Sequence, residues 1–97
     1  MYSNAELFGM AAKQPKEVFL GDFEGHLDLD AETVRLSHLW DVSRMNVREM
    51  VACTGLSQTA FAKQVGIPLR TVQDWCGEKR ACPVYLRFLL AEHYGLI

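Results

Sequence analysis

QTAFAKQVGIPLRTVQDWCG, Gln58 to Gly77, reads as two short helices joined by a tight turn. Ser57 stands where an N-cap belongs, and its hydroxyl can take a free backbone N–H of the first helix, expected over 58–65. Gly66 follows, and without a Cβ it can end that helix in the left-handed conformation. The second helix starts near Pro68, where a fixed φ and a missing N–H do no harm, and it stops by Gly77. A helix advances about 100° per residue, so Trp75 and Cys76 fall within roughly 60° of Val72 and these three face a core. Arg70 and Asp74 then lie opposite, with Gln73 and Thr71 on the flanks. Two helices around such a turn, the second with a polar outer face, make a helix-turn-helix.

The outer face offers groups that match base-pair edges in a major groove. Arg70 suits guanine, Gln73 adenine and Asp74 the cytosine amino group, while Leu69 can touch a thymine methyl. Around them stand groups suited to phosphates: Gln58 at the start of the preceding helix, Thr71, and Lys79 and Arg80 just beyond the second helix, with Lys63 a weaker choice. Phe61 and Val65 face inward, and Ala62 sits where a larger side chain would force the helices apart. Arg70 and Asp74 are also four residues apart and can form a surface ion pair worth only about 0.2–0.5 kcal/mol.

Outward from this stretch the pattern stays helical. Asn46 to Glu49 has capping-box spacing before Met50, Val51 and Cys53, and Gly55 stops that helix. Cys53 reads as a buried small hydrophobe on its apolar face. Residues 78–82 form a loop; Pro83 then opens a last helix through His93, with Leu86, Leu89 and Leu90 inward and Gly95 closing it. Tyr85 and Tyr94 read as core or interface residues. Toward the N-terminus, Ser3 to Glu6 is another capping box, for a helix over 4–12 that Gln14-Pro15 ends. Residues 16–29 fit either a short strand at 17–20 or an ordered loop. Asp30 can cap a helix over 31–44 with Val34, Leu36, Leu39, Trp40 and Val42 as its apolar set.

The 97 residues suit a small fold, and 49% hydrophobic residues suffice for a core. Net charge is −2, unevenly spread: residues 1–44 hold four Lys/Arg against eight Asp/Glu, residues 45–97 six against four. A mildly basic half thus follows an acidic one, and a binding face matters more than the whole-chain balance. The expected division is an acidic N-terminal extension at 1–45, of one or two helices plus loop, and a helix-turn-helix domain at 46–97. No apolar run is long enough for a membrane span, and no signal-peptide pattern opens the chain, so a cytoplasmic, nucleoid-associated protein is expected. Three cysteines, Cys53, Cys76 and Cys82, read as reduced thiols. His26, His38 and His93 are scattered, and the acidic residues between 22 and 32 lack the calcium-loop pattern. With no Ser/His/Asp set, phosphate loop or metal-ligand spacing, neither catalysis nor a cofactor is expected.

Residues 46–94 resemble the Cro/C1-type (XRE) helix-turn-helix regulators: Gln58, Ala62, Gly66, Ile67, Val72 and Trp75 stand where that family's pattern places them, and GEKRACPVYLRFLL continues it with a basic loop and a proline. The resemblance implies an all-α fold, a compact helical bundle of the lambda-repressor-like DNA-binding type, here with an N-terminal extension. It also implies a bacterial or phage repressor that binds double-stranded DNA as a homodimer, with Gln58, Leu69, Arg70, Gln73 and Asp74 at contacting positions. Two departures stand out. Pro68 replaces the usual Ser or Thr at the start of the recognition helix, and Trp75-Cys76-Gly77-Glu78 replaces W-E-x-G, which leaves the loop geometry open by one residue. Two other readings remain. An antitoxin-like or adaptor protein would grip a protein partner through residues 1–45, chiefly Val18, Phe19, Leu20 and Phe23. A redox or metal sensor would use Cys76 and Cys82.

Overall fold

The computed structural model describes residues 2–23 and 30–97, residues 30 and 31 by their backbone. Seven helices run through the described residues: α1 (Asn4–Lys13), α2 (Lys16–Gly21), α3 (Asp30–Ser43), α4 (Val47–Thr54), α5 (Gln58–Val65), α6 (Leu69–Cys76) and α7 (Val84–His93). The protein is an all-α bundle. Local chemistry explains most of the helix ends. The Ser3 and Asn46 side chains accept from the backbone of Glu6 and Glu49, and those glutamates accept from the cap N–H groups in return, closing two capping boxes. The Ser57 hydroxyl accepts from Ala60 N–H, while Pro68 and Pro83 stand at the N-caps of α6 and α7. The capping expected of Asp30 lies outside the described side chains.

Two apolar clusters form the interior. The larger joins Val47, Met50 and Val51 of α4, Phe61 and Ala62 of α5, Val72, Trp75 and Cys76 of α6, and Phe88, Leu90 and Ala91 of α7. Phe8 of α1 and Val42 of α3 belong to the same cluster, and the Phe8 ring meets Phe88 edge-on at 5.5 Å. The smaller cluster gathers Leu7, Ala11, Phe19, Leu36 and Leu39 from α1, α2 and α3. Polar ties follow the same seams. Arg87 Nη1 donates to the carbonyls of Ser43 and Met45 at 2.7 and 3.0 Å. At the end of α1, Arg44 donates to Ala11 and Gln14 carbonyls, and Trp40 Nε1 donates to Gln14 at 2.9 Å. Lys16 pairs with Asp41 at 2.9 Å.

Four expectations are corrected. Residues 16–21 are helical rather than a strand or loop. Phe19 and Phe23 are four apart and stack edge-on at 5.3 Å, and Phe19 is fully buried. A β-prone run such as Val18-Phe19-Leu20 needs a strand to pair with, whereas one helical turn buries Phe19 at once. Cys53 is exposed, because Val47, Met50 and Val51 set the buried stripe of α4 and Cys53 lies about 110° from its centre, beyond the Met50 edge. Leu89 is 52% exposed: Phe88 and Ala91 define the inner side of α7 and Leu89 falls opposite. Val34 is exposed as well, leaving Leu36, Leu39 and Val42 as the buried set of α3, with Trp40 half-buried.

Candidate nucleic-acid interface

The turn between α5 and α6 is built as its residues dictate. Gly66 has φ 72°, and the N–H of Ile67 reaches back to the Ala62 carbonyl at 3.0 Å, the closure that a left-handed residue permits. Ala62 is 4% exposed at the crossing with α6, beside the fully buried Phe61 and Val72. Tyr94 stacks on Phe61 at 5.5 Å, and its hydroxyl donates to Gln64 Oε1 at 2.5 Å, which holds α5 against the end of α7. On the far side, Arg48 donates to the Cys76 carbonyl at 2.7 Å, placing a cation at the negative end of α6. Helix α6 is thereby fixed at both ends and along its Val72–Trp75–Cys76 face.

Its outer face carries Arg70, whose side chain is 82% exposed, and Gln73, also exposed. Asp74 departs from the expected free placement. Its side chain is only 17% exposed and pairs with Arg70 Nε at 3.4 Å. The chain leaving α6 folds back at this point, the N–H groups of Lys79 and Arg80 both donating to the Asp74 carbonyl, at 2.9 and 3.3 Å. Asp74 is thus better placed to orient Arg70 than to reach outward itself. Leu69 is half-buried against the larger cluster, so part of its side chain serves packing. Gln58 and Thr71 are half-buried at the first turns of α5 and α6, and Lys63, Lys79 and Arg80 are exposed. Arg70, Gln73, Lys79 and Arg80 therefore lie on and just beyond one helix, with Gln58 on the helix packed across it.

The loop after α6 settles the one-residue ambiguity. Gly77 keeps a right-handed φ of −87°, and the left-handed position falls on Glu78, at φ 59°. Glu78 N–H donates to the Trp75 carbonyl at 3.1 Å while Lys79 closes on Asp74, the paired bonds of a Schellman ending with Glu where Gly is usual. That ending carries Lys79 and Arg80 back along α6.

The cysteines are poorly suited to sensing. Burial pushes the Cys76 thiol up despite the charge of Arg48, and burial pushes the Cys82 thiol up to about 11 despite Arg87. Thiolate is the reactive form, so both are sluggish near neutral pH. Among the described residues no group of three His, Cys, Asp or Glu side chains could hold a metal ion. Of the residues expected to grip a protein partner, Phe19 is buried and Leu20 and Phe23 pack on the smaller cluster, which leaves Val18 exposed. Sequence reading passed over Arg44, Arg48 and Arg87. Only Arg44 carried a local signal: it stands four residues after Trp40, and its guanidinium lies 4.6 Å from that ring.

No family model, curated protein or solved structure matches the chain. Among the described residues no helix is long and apolar enough to cross a membrane.

Proposed function

We propose that the chain is a sequence-specific DNA-binding regulator, a repressor of the Cro/C1 type working as a homodimer on double-stranded DNA. The observation that carries this reading is the division of α6 into two faces. Val72, Trp75 and Cys76 are locked into the core, while Arg70 is exposed on the opposite side and Gln73 on a flank of a helix short enough to enter a major groove. Arg70 reads a guanine, held in line by Asp74, and Gln73 reads an adenine. Gln58, Thr71, Lys79 and Arg80 hold phosphates and supply sequence-independent affinity. A dimer sets two such helices about 34 Å apart on a pseudo-palindrome.

Selection of bound duplexes from a random pool tests the reading. The expected result is a recurring, two-fold-related sequence whose affinity falls steeply as salt rises. A pool that never enriches, assayed in dilute buffer, would refute it.

A further inference from the structure

A cavity of about 410 Å³ lies where the end of α1, the α3–α4 turn, the loop after α6 and α7 meet. That volume suits a small ligand. Three guanidiniums line it, Arg44, Arg80 and Arg87, against the single carboxylate of Glu78, which leaves two positive charges on the walls. Among the described residues none of the three arginines has a carboxylate within 4.0 Å. The partners they do have are backbone carbonyls. Arg87 uses Nη1 on Ser43 and Met45, and Arg44 uses Nη2 on Ala11 and Gln14. These bonds hold two forks in place, the other nitrogens of each have no partner among the described residues, and a carbonyl neutralises no charge. Arg87 is half-buried; its burial, and with it the charge of Arg44, pulls its pKa down, so the two cations feel one another. Preset forks around a cavity whose described walls carry two more guanidiniums than carboxylates match one ligand chemistry above others.

We propose that this cavity binds a phosphate monoester, the dianionic group of a small phosphorylated metabolite. Such a group carries about −1.5 to −2 charge near neutral pH, equal and opposite to the walls. Its oxygens accept paired N–H bonds from guanidinium forks, a geometry that a single halide cannot use. Cys82, with its protonated thiol, is part of the wall and becomes covered when the group is bound. The cavity shares Arg80 with the DNA-phosphate contacts proposed above but none of Arg70, Gln73 or Asp74, and its test contains no DNA.

The test uses the full chain carrying Cys53→Ser, so that the exposed thiol does not interfere. Alkylation of Cys82 by iodoacetamide, at about pH 9 and over hours so that its raised thiol still reacts, is followed by mass spectrometry with inorganic phosphate, with glycerol 3-phosphate, and with sodium chloride at matched ionic strength. Both phosphate compounds are expected to slow Cys82 saturably, and chloride to leave it unchanged. Arg80→Gln, on an exposed side chain, and Arg44→Gln are each expected to raise the half-saturating concentration about tenfold, with thermal melts confirming that both variants are folded. Equal protection by chloride, no protection at all, or folded variants that saturate like the parent would overturn the proposal.

Discussion

Helices α4 to α7 and helices α1 to α3 are held by different means. In the first group the ends are set by their own residues: Asn46 and Glu49 for α4, Ser57 and Gly66 for α5, Pro68 for α6 and Pro83 for α7. In the second group α1 alone has a closed capping box among the described residues, and the helices depend on distant partners. Phe8 is buried against Phe88, Trp40 and Arg44 reach the end of α1, and Arg87 of α7 secures the α3–α4 turn. The lesson is that a helix-turn-helix written in local signals can still rest on a core shared with less legible neighbours.

The largest effect tests that dependence. Phe8→Ala empties a fully buried site between the two groups and is expected to destabilise the whole chain by about 3–5 kcal/mol. The two tryptophans report the two clusters separately, Trp40 beside the smaller and Trp75 within the larger. In urea both should shift together in the parent and in the variant, each followed in a partner carrying Phe at the other tryptophan. Two separated transitions would break the comparison and make residues 46–97 a unit of their own.

Next in size is the effect at the proposed DNA-reading face. Arg70→Ala should lose about 1–3 kcal/mol on a selected duplex and little on random DNA, and it should relax the preference at one base pair. Stability should move little, since the Arg70 side chain is 82% exposed and an i,i+4 pair of this kind contributes only about 0.2–0.5 kcal/mol.

A smaller effect tests whether every end in the legible group is ideal. Glu78 occupies a left-handed position that a Cβ disfavours, so Glu78→Gly should raise stability by about 1 kcal/mol in urea unfolding. A loss instead would mean that the Glu78 side chain contributes more than its backbone strain removes.

How far the sequence could be read follows the same contrast. Asn46, Ser57 and Gly66 announce their roles because a cap or a left-handed turn needs only neighbours in the chain. The exposure of Arg70 and Gln73 was legible for a similar reason, since Val72, Trp75 and Cys76 fix the inner side of one short helix. Leu89 and Cys53 misled because an apolar residue on a helix of mixed faces is buried only if a partner lies on that side. Which side that is depends on Phe8 and Val42, far away in sequence. Asp74 gave no sign of its half-buried placement, because the loop that folds back onto its carbonyl turns at Glu78, a non-glycine residue. Arg87 gave no local sign, because its carbonyl partners lie 44 and 42 residues away.

The smallest effect concerns pH. Cys82 has its thiol pKa raised from 9.0 to about 11 by burial, so its contribution to stability is complete below pH 9. That contribution should decline as pH rises from about 9 toward about 11, because unfolding then releases a proton that the folded thiol keeps. Unfolding titrations of the parent and of Cys82→Ser should diverge only across that window. In native buffer near neutral pH, Cys53 should be the one fast thiol.

The most direct measurement of the central claim is fluorescence anisotropy of the parent and Arg70→Ala on a selected duplex and on a scrambled one, at one salt concentration. The account predicts that the parent prefers the selected duplex and that the variant loses most of that preference while retaining its affinity for the scrambled one. Equal weakening on both duplexes, or a parent that treats them alike, would contradict it.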